Sequence, residues 1–124
     1  MRGKLAVMIA AGAVGACASA GGFPKSLPME SSNVISQATQ AIADAQAAGA
    51  DSLASETLGS AKTHLDQAQK EQIARNPDVA TLSAREALAD ARLARSTAMR
   101  MKAEHEKSAA QSALSTLPPN GGSR

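Results

Sequence analysis

The chain has 124 residues, room for one domain. Its hydrophobic share is 44%, but most of that is alanine, and Phe23 is the one aromatic residue. Alanine forms helices readily yet buries little area at roughly 25 cal/mol per Å², which argues against the bulky core of an ordinary enzyme. With a net charge of only +2 and no aromatic platform for stacking bases, nucleic-acid binding lacks both of its usual supports.

Met1 to Lys4 is short and basic, and Leu5 to Ala16 follows without a charge before small residues take over. That order predicts a secretory signal peptide over residues 1–16. The apolar run is too short for a spanning helix, which needs about 20 residues. Two cleavage routes fit. Ala18-Ser19-Ala20 matches the A-x-A pattern of ordinary signal peptidase. Val14, Gly15, Ala16 and Cys17 resemble the lipobox of bacterial lipoproteins, which implies acylation of Cys17 and cleavage just before it. Cys17 is the only cysteine, and a lone thiol in an oxidising compartment is a liability that acylation removes. Two or more acyl chains give stable anchoring where one gives marginal binding. Cys17 is therefore expected as an anchor, not a catalyst. Ala18 and Ser19 stand where an Asp would imply inner-membrane retention, so the resemblance implies an outer-membrane anchor facing the periplasm. Cleavage also removes Arg2 and Lys4, the two basic residues behind the net charge of +2, and leaves a neutral chain.

Residues 17–31 read as the lipidated cysteine and a flexible tether, with Gly21, Gly22, Pro24 and Pro28. From Ala18 to Met29 the tether reaches about 40 Å at full stretch and averages nearer 20 Å. Residues 32–115 read as an Ala-rich helical domain. Ser31, Ser32 and Asn33 are the expected N-caps of a first helix with its stripe at Val34, Ala38, Ala41, Ala45 and Ala48, thickened by Ile35 and Ile42. Gly49 stops it, and Asp51-Ser52 is the expected cap of a second helix. There Ala54, Leu58, Ala61, Leu65, Ala68 and Gln72 alternate steps of four and three, a heptad seam. Asn76 is the expected cap of the third helix, with Pro77 at its first position and Asp78 near the positive end of its dipole. The longest seam follows: Ala80, Ala84, Ala87, Ala91, Ala94 and Ala98, continued by Met101 and His105. Residues 116–124 read as a disordered tail.

The predicted helices span about 17, 22 and 38 residues, the third about 57 Å long. A short connection makes the second and third antiparallel. The fold class is all-α: an antiparallel helical hairpin, or a three-helix bundle if the first helix folds back. The third helix outlasts the second, so its turns beyond about Met99 either project or pack on the first helix.

The stretches "ATQAIADAQAAGADSLASETLGSAKTHLDQAQ" and "NPDVATLSAREALADARLARSTA", behind a lipobox and a Gly/Pro tether, resemble the bacterial lipoproteins that carry domain of unknown function 4398. The resemblance covers roughly Val34 to Glu104. It implies a helical envelope module, a type sometimes found beside peptidoglycan-binding domains, and supplies no catalytic residues.

No catalytic constellation stands out. His64 lies opposite about residue 88 in the antiparallel register, some 25 Å from His105, so the two share no metal and read as surface or seam-edge side chains. Glu86 and Asp90 sit four apart on one helix face and read as a solvated pair, since an alanine seam leaves them no pocket. No nucleophile elbow or phosphate loop is present. At 100° per residue, Glu86, Asp90 and Glu104 fall on one side of the third seam, and Arg85, Arg92, Arg95 and Lys102 on the other. Such flanks set partner choice in coiled coils, and arginine suits planar anions. These four are the candidate partner-binding residues. The expected function is a non-catalytic helical binding or scaffold module, held to the membrane by its N-terminal lipid, with an envelope protein or peptidoglycan as partner. No nucleic acid, small-molecule substrate, cofactor or metal is expected. The alternative is a self-assembling structural coiled-coil lipoprotein.

Overall fold

The computed structural model describes residues 27–118. The predicted signal peptide, lipobox, Cys17 and most of the tether lie outside them. Four helices follow in order: α1 (Pro28–Ala47), α2 (Ala50–Leu53), α3 (Ser55–Ile73) and α4 (Pro77–Thr116).

Helix α1 begins earlier than its serines suggest. Pro28 takes a first-turn position, where its missing N–H is no loss and its fixed φ already suits a helix. The expected caps therefore fall inside the helix. Ser31 is fully buried, and its hydroxyl donates to the Pro28 carbonyl at 2.9 Å. The helix thus begins four residues before the expected boundary at residue 32.

The turn after α1 depends on Gly49, whose φ of 90° is the left-handed conformation that glycine adopts without strain. Its carbonyl accepts the N–H groups of Ser52 and Leu53 at 3.2 and 3.1 Å. Gly49, not Asp51 or Ser52, is the N-cap of the next element. The expected second helix is also divided. Ala54, at φ −148° and ψ 40°, separates the single turn α2 from α3. The kink delivers Ala50 and Ala54 to the same core cluster.

Between α3 and α4 the chain makes a Schellman turn. The Arg75 N–H reaches the Gln72 carbonyl at 3.1 Å, and the Asn76 N–H reaches the Glu71 carbonyl at 2.9 Å. Arg75 takes the left-handed position, at φ 62°, where glycine is usual. Asn76 makes no side-chain cap bond. Its amide donates instead to the Glu71 carboxylate at 2.9 Å, tying α4 back to the end of α3. Pro77 and Asp78 occupy the first turn of α4, as expected.

The first helix does fold back. Glu30 of α1 pairs with Arg85 of α4, and Asp44 with Arg95 farther along, so α1 runs parallel to α4. Helix α3 runs antiparallel: its end residue Ala68 clusters with Ala84, and its start residue Leu58 with Ala98. The result is a three-helix bundle in which α1 and α3 flank the first part of α4. The whole predicted seam, Ala80, Ala84, Ala87, Ala91, Ala94 and Ala98, has 0% exposure. Ile35, Ile42 and Leu58 are the bulky residues that fill the space opposite. The seam stops at half-buried Met101, and His105 is exposed. From Lys102 onward every described residue of α4 is exposed, so its last 15 helical residues project about 22 Å beyond the bundle.

Candidate functional site

Two side-chain groups flank the α4 seam, one facing α3 and one facing α1. On the α3 side, the antiparallel register brings His64 between Glu86 and Asp90. His64 Nδ1 lies 2.9 Å from Asp90 Oδ2, and His64 Nε2 lies 4.0 Å from Glu86 Oε2. An ionised carboxylate only accepts, so the imidazole donates from Nδ1. The two carboxylates are one helical turn apart on α4, which is why both meet a single side chain of α3. The His64 side chain is 40% exposed and that of Asp90 29%. The arrangement is a polar clasp between helices, open to solvent.

His64 thus lies at the edge of the seam, one of the two places expected for it. Glu86 and Asp90, expected as a solvated pair, lie on a solvent-open face with His64 between them. The signal for this cluster is the antiparallel count itself, since position 88, opposite His64, is the midpoint of the two carboxylates. His105 lies 15 positions beyond Asp90 on the projecting part of α4, roughly 22 Å away, and has no share in the clasp. Among the described residues no group of three or more His, Cys, Asp or Glu side chains is placed to hold a metal ion.

On the α1 side, the four basic candidates divide. The Arg85 guanidinium donates to Glu30 at 2.8 Å, and Arg95 lies 3.9 Å from Asp44. Both therefore hold α1 against α4, as charges beside a seam do. Arg92 and Lys102 have no ion pair among the described residues. Arg92 and Arg95 line an open groove of about 310 Å³ with Gln37, Gln40 and Leu88. Arg95 and Lys102 line the adjoining groove of about 560 Å³, with Met99 and the last turn of α1. Arg92, Arg95 and Lys102 thus form one strip along the α1–α4 junction, with Asp44 shared by both grooves and Glu106 beside Lys102 in the larger one.

No helix among the described residues is long and apolar enough to cross a membrane. No curated protein and no solved structure matches the chain. The family model for a domain of unknown function, number 4398, matches residues 33–111, from the first turns of α1 to the projecting end of α4, and the chain belongs to that family.

Proposed function

We propose that the protein is a lipid-anchored, periplasm-facing module of the cell envelope that binds or positions a partner without catalysing a reaction. The observation that supports this best is the division of α4. Its first 25 residues are packed along one face by α1 and α3, and its last 15 are exposed as a rod. The groups with acid–base chemistry, His64, Glu86 and Asp90, join α3 to α4 on an open surface. The anchor is Cys17, and the segment between it and Leu27 spaces the bundle from the headgroups.

The partner-facing strip is the α1–α4 junction, where Arg92 and Lys102 carry positive charge that no ion pair among the described residues engages, with Asp44 and Glu106 the acidic groups in the same grooves. Guanidinium and ammonium groups there suit an anionic surface such as the peptide carboxylates of peptidoglycan. Co-sedimentation with purified sacculi tests this. The chain carrying Cys17→Ser is expected in the pellet at low salt and in the supernatant at high salt, because exposed charges are screened. Arg92→Glu with Lys102→Glu is expected to abolish pelleting while circular dichroism stays unchanged. Equal pelleting of parent and double variant would remove the strip from the reading.

A further inference from the structure

Helix α4 carries a second heptad seam, displaced by two residues from the buried one and facing away from the bundle. It runs in steps of three and four from Val79 to Leu117, which lies just past the helix end. All twelve of its positions are exposed and eight are apolar. Leu82, Leu93, Leu114 and Leu117 are each more than half exposed. One α4 helix thus presents a complete coiled-coil seam whose apolar positions no other described helix covers. Of its polar positions, Glu86 reaches sideways to His64 of α3 and Arg100 to Glu104 of its own helix.

The order of residues along this seam identifies its occupant. In a parallel pair, each residue meets its own copy. Glu86 would face Glu86, Arg100 would face Arg100 and Lys107 would face Lys107, three like-charge layers of the kind that specify against a pairing. In an antiparallel pair centred on residue 98, every layer changes. Val79 meets Leu117 of the second copy, Leu82 meets Leu114, and Leu93 meets Ala103. Two-fold symmetry repeats each of these apolar layers. Glu86 then faces Ala110 with Lys107 one turn away, close enough to pair across the interface. Ala89 faces Lys107, and Ser96 faces Arg100, whose guanidinium already lies 3.9 Å from Glu104 of its own chain. No layer opposes like charges directly. The two Arg100 side chains come one turn apart across the two-fold axis, each beside its own Glu104. Four of the five bulky residues fall at the ends of the overlap.

We infer that this face docks a second copy of the chain, giving an antiparallel dimer through the back of α4. The contact uses the projecting end of one α4 to cover the bundle half of the other. The inference does not depend on the anchor or on the basic strip, which lies on the α1 side of the same helix.

Cysteine pairing tests both the contact and its direction. The full chain carrying Cys17→Ser, so that no native thiol remains, receives Leu82→Cys or Leu114→Cys. Both sites are exposed, and circular dichroism of each variant should match the parent. Under mild oxidation each variant alone is expected to stay monomeric on a non-reducing gel, and their equimolar mixture is expected to give a covalent dimer. Covalent dimers from either variant alone, or none from the mixture, would overturn the inference. Sedimentation provides a second measurement. The parent is expected to dimerise, and Leu93→Glu, which places a carboxylate in two of the apolar layers, is expected to be monomeric with unchanged helicity. A parent that sediments as a monomer throughout the micromolar range would also overturn it.

Discussion

Thr81 is 2% exposed, and its hydroxyl is the one buried side-chain polar atom among the described residues without a hydrogen-bond partner. Such a group costs about 1–3 kcal/mol when nothing satisfies it. Valine has nearly the same shape and a similar helix propensity, so Thr81→Val should stabilise the fold by about 1 kcal/mol. For a domain of this size that is a rise in melting temperature of roughly 4–8 °C, read by circular dichroism. A fall would show that the hydroxyl is satisfied after all. Single residues were also where sequence reading was weakest. Ser31, Asn33, Asp51 and Asn76 all belong to good capping types, yet none of the helices has a side-chain cap bond. Backbone geometry decided three of the four starts: Pro28 and Pro77 preset the first turn of α1 and α4, and Gly49 supplied the left-handed turn before α2. Capping chemistry is a preference of about 1 kcal/mol, which a proline one turn earlier or an adjacent turn overrides.

At the scale of the element, α4 is the organising piece. Its six buried alanines have methyl groups where α1 and α3 cross, and nothing larger fits without moving a helix. Ala91→Phe should therefore force the helices apart and cost roughly 1–3 kcal/mol or more. Ala109→Phe is the control: it lies on the same side of α4 but beyond the reach of α1 and α3, and it is exposed. The change in helix propensity is the same in both, so the difference in their melts reports packing alone. Equal midpoints would mean that α4 is not packed through alanine. The six alanines of the seam were legible, because a 4-3 spacing has only one helical face to occupy. Its end was not: the pattern runs on to His105, while the burial stops near Met101, where the cover from α1 and α3 ends. The antiparallel pairing of α3 and α4 was legible too, since the Asn76-Pro77 break is short. The kink at Ala54 was not, because Ala54 also fits the heptad and carries no helix-breaking residue. The His64 clasp needed two elements to be read against each other.

The whole molecule is an alanine-cored bundle with one helix longer than the other two. Alanine allows close approach but contributes little area per residue, so the bundle also relies on Ile35, Ile42 and Leu58 and on the ion pairs along α1. Those pairs are exposed and contribute only about 0–1 kcal/mol each; their larger role is to set the register of α1 on α4. Whether the first helix would fold back was open in the sequence. The acidic positions Glu30 and Asp44, matched to Arg85 and Arg95, are the features that place it. The functional account then rests on where this bundle is held, and metabolic labelling with palmitate in a Gram-negative host tests that most directly. The account predicts label on the wild-type chain in the membrane fraction, and an unlabelled Cys17→Ser chain that is either unprocessed or released after cleavage at Ala20. An unlabelled wild-type protein whose mature mass begins at Gly21 would contradict it.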